Sequence, residues 1–400
     1  MKNRVKLIVV DPKFTNLTAK ADLCRQVRPA TDGASALGML NYIIEKELCD
    51  KEFVNKFYFG FDQLKQRVKE YPLRKGSEIT RVPEEDILQA ATMYATLKPA
   101  SLALYMGLSV NTNTMQAMRA VHLIIALTGN VDVKGGNLIF GCIHLPITGP
   151  THPKVYPGLH EDEMAKAPTV KDRPIYYSRN ALLFGHSHPS AFFDILCTGE
   201  PYKIKLLLSV TDPAMGMQGS RKTLEALKKV DFFVDIYFFI SPTASVADIL
   251  LFAATYLERD KAWYEFYHDF FCAAGIDIGP VGECRDEVEV FIELAKRLGV
   301  EPAISMSSVR ELNDWYLTSA RMTFDGLKRK RIVQVSFEHK KYEEEGYSFP
   351  AETGKIELYS KHFEKYGYDP LPCYREPPQS PYSTPDLFEK YPLILIFGKN

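Results

Sequence analysis

Two acidic residues close apolar runs in the same local pattern. Val10-Asp11 precedes Thr18-Ala19-Lys20-Ala21-Asp22, and Val234-Asp235 precedes Thr243-Ala244-Ser245-Val246-Ala247-Asp248. A carboxylate at the carboxyl end of a buried parallel strand stands where ligands of open α/β sheets dock, and it accepts hydrogen bonds from a ribose or an amino-substituted base. Two such units would hold two similar ligands around a pseudo-two-fold axis. The plainer alternative is that Thr-Ala and Ala-Asp, being common, recur by chance. Asp11 and Asp32 are the leading acceptors, with Thr31 beside them, although Asp11-Pro12 also reads as a simple turn. Gly107 and Gly129 would let the backbone approach a pyrophosphate closely, and Gly129 serves equally as a helix C-cap. Asn113 and Gln116 open a helix whose free N–H groups suit an anion, or simply cap it.

Other chemistry has weaker support. His144, His152, His160, His186 and His188 fall in one irregular stretch. His186-x-His188 suggests a metal pair, but no third ligand follows at zinc-like spacing, so a structural role is expected. The cysteines at 24, 49, 142, 197, 272, 284 and 373 are scattered and odd in number, with no Cys-x-x-Cys. That pattern suits a reducing compartment and supplies no cluster-binding motif. The basic run Lys328-Arg329-Lys330-Arg331 reads as a solvated face.

The elements that would position these residues alternate as in an α/β chain. Strands are expected at Val5–Asp11, Ser101–Met106, Ile204–Val210, Phe232–Phe239 and Ile249–Phe252. Helices are expected at Ala34–Cys49, Asp50–Tyr58, Phe61–Tyr71, Pro83–Leu97, Asn113–Thr128, Ser220–Lys229, Arg285–Leu298 and Val309–Arg321. In the first of these, Leu37, Leu40, Ile43, Ile44 and Leu48 form one apolar stripe. Residues 341–390 read as a turn-rich linker holding one strand at Lys355–Tyr359, and Tyr391–Gly398 as the start of a further strand. With 400 residues, two or three domains are expected. The divisions are 1–140 and 201–340 as two nucleotide-binding units, 141–200 as an irregular connection, 341–390 as the linker, and 391–400 as the opening of another domain.

Lys+Arg 49 against Asp+Glu 50 gives a net charge of -1, which argues against a nucleic-acid or anionic-membrane coat. No apolar run approaches the roughly 18 residues of a membrane span. Met1–Lys6 leads directly into strand-like Leu7–Val10 without a signal-peptide core, so a cytoplasmic location without membrane insertion is expected.

Taken together, several segments resemble the molybdopterin oxidoreductase family, the bis-molybdopterin-guanine-dinucleotide enzymes related to dimethyl sulfoxide reductase. Val9-Val10-Asp11-Pro12-Lys13, Thr18–Asp22 and Arg28-Pro29-Ala30-Thr31-Asp32 are similar to the family's first nucleotide-binding stretch. Thr112–Gln116, Ala126–Asn130 and Lys134–Asn137 resemble the next signature, the most specific of the set. Glu200–Lys205, Glu225–Lys229 and Ser241–Glu258 resemble the second nucleotide site, and Thr353–Ser360 with Tyr391–Gly398 the approach to a cofactor-capping domain.

The resemblance implies an α/β fold of two related Rossmann-like parallel-sheet units around a pseudo-two-fold, with an irregular funnel-lining connection between them. It implies a bis-molybdopterin guanine dinucleotide carrying Mo or W, and two-electron redox at the metal. The cofactor contacts carried over are Asp11, Pro12, Lys13, Thr31, Asp32, Gly107, Asn113, Gln116, Gly129, Asn130, Thr211, Asp212, Asp235, Tyr237, Ser241 and Thr243. No catalytic residue and no metal ligand can be assigned. In such enzymes a [4Fe-4S]-binding Cys motif and the metal's protein ligand precede the opening strand, and a capping domain follows the last one. Both would lie outside this chain, which reads as the central portion of a catalytic subunit, expected to aggregate or bind a partner when alone. An iron–sulfur electron-transfer subunit is an expected partner, and a second polypeptide supplying the other segments is a further one.

Four positions depart from the family pattern. Lys13 stands for Arg, Asp212 for Asn, Tyr237 for the acid that would read the second guanine, and Phe252 for Pro. Asp235, on the same strand face as Tyr237, is the expected substitute acid. Two rivals remain open: a non-catalytic scaffold that has lost its cofactor, and an enzyme using a simple dinucleotide. The second lacks a Gly-x-Gly-x-x-Gly fingerprint after the first strand.

Overall fold

The computed structural model describes residues 5–138, 189–200, 202–210, 212, 216, 219–265, 270–274, 278–299, 306–318, 321–334 and 339–396. The chain divides into two compact units, residues 1–140 with 338–400, and residues 141–337.

The first unit is mainly helical, built around a short parallel pair, β1 (Ile8–Val10) and β2 (Leu23–Arg25), with Ile8 opposite Leu23 and Val10 opposite Arg25. Helices α1 (Asp32–Glu45), α2 (Lys51–Phe57), α3 (Phe61–Val68), α4 (Leu73–Thr80), α5 (Glu84–Thr96), α6 (Met106–Ser109) and α7 (Thr114–Leu127) follow. The stripe read from sequence on α1 is realised: Leu37, Leu40 and Ile43 are fully buried and meet Ile124 and Leu127 of α7 in one core. A Cβ on Gly33 would stand 3.2 Å from Ala117 Cα, so glycine permits the close approach of α1 to α7. Tyr342, Phe349, Leu358 and Leu371 join this core from the C-terminal segment. There β10 (Ile356–Glu357) pairs in parallel with β3 (Tyr58–Phe59), and α13 (Lys361–Lys365) and α14 (Pro385–Lys390) follow.

Three expectations are corrected here. Val5–Asp11 is not a fully buried strand, since only Val9 is inside and Val5 and Val10 are exposed. Ser101–Met106 forms no strand. The Asn137 amide takes its place beside Leu102, donating to the Leu102 carbonyl at 2.8 Å and accepting its N–H at 2.8 Å, while Asn130 Oδ1 accepts the Ala100 N–H at 3.0 Å. Tyr391–Ile396 has no strand partner among the described residues and lies exposed; residues 397–398 are outside them. A strand needs a neighbour to satisfy its backbone groups, and an apolar run alone supplies none.

The second unit holds α8 (Pro189–Thr198) and a three-stranded parallel sheet, β4 (Leu206–Val210), β5 (Phe232–Tyr237) and β6 (Ile249–Phe252), with β5 central. Helix α9 (Ser220–Leu227) packs with α8 and β5 through Phe193, Leu196, Ala226, Leu227 and Phe233. An antiparallel sheet of β7 (Lys261–Glu265), β8 (Phe270–Ala274) and β9 (Ile332–Gln334) forms a separate core with α11 (Val309–Leu317) and α12 (Phe324–Lys330), through Phe271, Leu317, Phe324 and Leu327. In the chain between β8 and β9, α10 (Glu287–Leu298) starts on the Asp286 side chain and ends at Gly299, whose φ is +69°. Lys328 of the basic run pairs with Asp260 at 3.0 Å. No described helix is long and apolar enough to cross a membrane.

Candidate functional site

The sequence echo is a structural repeat. In the first unit Asp22 accepts the N–H of Leu7 at 2.9 Å, and in the second Asp248 accepts that of Phe233 at 2.7 Å. In each, a one-turn 3₁₀ helix precedes the aspartate, Thr18–Lys20 or Ala244–Val246. A hydroxyl three residues before that turn's first residue accepts its N–H at 3.2 Å, Thr15 for Thr18 and Ser241 for Ala244. In each, the next strand pairs in parallel with the first. The bonds therefore match Thr18 with Ala244 and Asp11 with Tyr237. The Thr-Ala echo taken from sequence matches Thr18 with Thr243, one residue out of step.

At the end of β1, Asp11 is half-buried and its Oδ1 accepts the Lys13 N–H at 2.7 Å, the turn that Asp-Pro suggests. Pro12 and Lys13 are exposed. Thr31 is fully buried and its hydroxyl donates to the Arg28 carbonyl at 2.6 Å, so it builds the turn that opens α1. Asp32 occupies the first turn of α1. Burial raises its carboxyl pKa against its own backbone N–H, and the nearby Asp11 charge raises it further. Among the described residues no side chain donates to the Asp32 carboxylate.

Arg28 braces this turn, though sequence reasoning did not single it out. It donates to both Glu376 oxygens at 2.6 and 2.8 Å, to Tyr374 at 3.1 Å and to the Ile79 carbonyl at 2.9 Å. Burial by itself would raise the Glu376 carboxyl; bonds from Arg28, Ser380 and Tyr374 outweigh it and hold the pKa at about 2. Glu376 is remote in sequence from Arg28, so no local pattern could have joined them.

The remaining first-unit candidates divide. Gly107 is exposed with open space around its Cα, which leaves room for a ligand. Asn113 and Gln116 reach the C-terminal segment instead: Asn113 Nδ2 donates to the Cys373 carbonyl at 3.4 Å and Gln116 Nε2 to that of Asp369 at 3.0 Å. Gly129, with φ +69°, has Asp50 Oδ2 2.4 Å from where a Cβ would be, so packing against Asp50 and the cap of α7 account for it. Asn130 is buried in its bonds to Ala100 and Thr128.

In the second unit two candidates are bonded to one another. Asp212 accepts a bond from the Thr243 hydroxyl, Thr243 is fully buried, and Ser241 serves the 3₁₀ turn. Thr211 lies outside the described residues. Asp235 is completely buried, opposite Ser209 in the β4–β5 register, with a carboxyl raised by burial; it does not reach the surface to replace an acid at Tyr237. Glu258, the carboxylate after β6 that closes the Ser241–Glu258 stretch, was not among the expected contacts. It accepts from the amides of Thr255 at 2.8 Å and Val281 at 3.1 Å, and from the Cys284 thiol at 3.6 Å. Tyr237 is half-buried at the end of β5, beside Phe252. Among the described residues no cluster of three His, Cys, Asp or Glu is placed to hold a metal, and the five histidines of the irregular stretch lie outside them.

A half-buried carboxylate with a raised pKa and no side-chain donor beside it fits a ligand that brings N–H or O–H donors, as an amino-substituted base or a ribose does. Fold and site thus define a mixed α/β protein with acidic or aromatic residues at the ends of its parallel strands. A family model for molybdopterin oxidoreductase matches residues 1–297, and the chain belongs to that family, whose enzymes carry a pterin-bound molybdenum or tungsten. It is 34% identical over its whole length to the acetylene hydratase of Syntrophotalea acetylenica, spanning 57% of that protein. The solved acetylene hydratase from Pelobacter acetylenicus matches with a TM-score of 0.82 at 31% identity, covering 100% of this chain and 57% of the other. The F420-dependent formate dehydrogenase subunit alpha of Methanocaldococcus jannaschii is 26% identical over 77% of this chain and 45% of its own. The chain thus spans about half the length of these relatives.

Proposed function

We propose that this chain is the central portion of a molybdenum- or tungsten-dependent catalytic subunit, and that it binds the guanine dinucleotide arms of a bis-pterin cofactor. The observation that carries this reading is the Asp32 carboxylate, half-buried next to Asp11 at the end of β1 and without a side-chain donor. Asp11 and Asp32 would accept donors from the base and ribose of one arm. Gly107 leaves open space for its pyrophosphate, and Arg28, through Glu376, fixes the turn that presents Asp32. When bound, the cofactor supplies the two-electron chemistry; the chain's residues supply binding and orientation. In this reading the two units bind two arms, and an iron–sulfur subunit in the cytoplasm exchanges electrons with the complete enzyme. The alpha-subunit name of the formate dehydrogenase relative supports a multi-subunit setting.

The hydratase relatives favour a second reading, addition of water to an unsaturated substrate with no net electron transfer. The two readings share the cofactor. Elemental analysis of the chain, purified from a host that makes the cofactor together with any segments encoded beside it, is expected to find molybdenum or tungsten. A folded protein free of both metals would move the assignment to a scaffold without cofactor. Substrate assays with and without an electron acceptor separate redox from hydration.

A further inference from the structure

The hydrogen-bonded repeat gives the two strand ends different chemistry. Tyr237 follows the bonded amide of Phe233 by the same interval as Asp11 follows that of Leu7, and precedes Ser241 as Asp11 precedes Thr15. Three carboxylates near the second strand end are buried or already engaged. Asp235 is buried, Glu258 accepts from two amides and a thiol, and Asp212 accepts the Thr243 hydroxyl through Oδ1. Aromatic surface stands there instead. Tyr237 contacts Phe238 and Phe239 with ring centroids 5.7 and 6.5 Å apart, Phe239 is 71% exposed, and Phe252 lies opposite Tyr237 on β6.

We propose that Tyr237 sets the specificity of the second site: the base of the second arm is held by stacking on Tyr237 and its aromatic neighbours, without discrimination of guanine, whereas Asp11 and Asp32 select guanine at the first site. This rests on the nucleotide-arm reading above. Stacking tolerates any base because each has a π-face, whereas a carboxylate pairs with the amino and ring N–H donors of guanine and repels the acceptor edge of adenine.

The test is ligand-observed saturation-transfer NMR titration of the full chain with GMP and with AMP, circular dichroism confirming the fold of each variant. In Asp11→Asn/Asp32→Asn, where the second site dominates, GMP and AMP should bind within about threefold of one another. Adding Tyr237→Ala should weaken both about tenfold, adding Tyr237→Phe should preserve them, and adding Tyr237→Asp should create a preference for GMP. Tyr237→Ala alone should leave a GMP preference from the first site. A strong GMP preference that persists in Asp11→Asn/Asp32→Asn and is unaffected by adding Tyr237→Ala overturns this proposal while leaving the nucleotide reading intact. Failure of the native chain to bind either nucleotide overturns both.

Discussion

Asp248 accepts the backbone N–H of Phe233 at 2.7 Å across fifteen residues, and Asp22 accepts that of Leu7 at 2.9 Å across the same interval. These bonds close the strand–turn–strand loop in each unit and fix where Asp11 and Tyr237 end up. Asp248→Ala leaves an amide without its partner and is expected to cost about 1–2 kcal/mol. Asp248→Asn keeps an acceptor and should cost less. Urea unfolding followed by circular dichroism reads both; equal stability of the alanine variant and the native chain would remove the bond from this role.

Glu376 links stability to pH. Its folded pKa of about 2 lies below the ordinary 4.5, so its contribution is fully present above about pH 4.5 and is lost as pH falls towards 2. Arg28 is almost wholly buried and Glu376 only partly so. Glu376→Gln is therefore expected to cost about 1–3 kcal/mol at pH 7, from leaving the guanidinium underpaired. The gap from the native chain should narrow between pH 4.5 and 2 in thermal melts, and a pH-independent gap would contradict the ion pair.

Asp32 has the opposite sign. Its folded pKa is raised, so its ionisation costs stability as pH climbs above the ordinary carboxylate value of 3.8. Asp32→Asn should raise Tm at pH 7, with the gain fading below about pH 4. The same change should weaken nucleotide binding. A variant that loses both stability and binding would instead make Asp32 a structural acid.

The sequence made the long helices and the central parallel strands legible because their apolar periodicity is local: α1, α5, α7, β5 and β6 lie where Leu37–Ile44, Ile87–Ala95, Ala120–Leu127, Phe232–Tyr237 and Ile249–Phe252 place them. Helix α4 escaped because its buried face is Gly76 and Thr80, with Gly76 pressed on the Ala34 carbonyl, and two small residues make no stripe. The pairing of β9 with β8 escaped because β9 comes from far along the chain. At the site, Asp11 and Asp32 were readable as strand-end and helix-start acids. The Arg28–Glu376 brace and the burial of Asp235 depend on tertiary neighbours that no local pattern records.

Two backbone positions offer a contrast. Ala30, in the turn before Asp32, has φ +65°, so Ala30→Gly should stabilise by about 1 kcal/mol. Gly129→Ala would put a Cβ against Asp50 at an equally unfavourable φ, and should cost more than about 2 kcal/mol. Opposite signs in denaturant titrations support both conformations; a destabilising Ala30→Gly would contradict the first.

The most direct measurement is the amount of GMP released by acid hydrolysis from the chain purified out of a cofactor-producing host, compared with its Asp11→Asn/Asp32→Asn variant. Nucleotide binding through the β1 site predicts GMP in the native protein and a marked loss in a variant that remains folded by circular dichroism. Equal GMP in both would place the arm elsewhere, and its absence from the folded native protein would contradict cofactor binding itself.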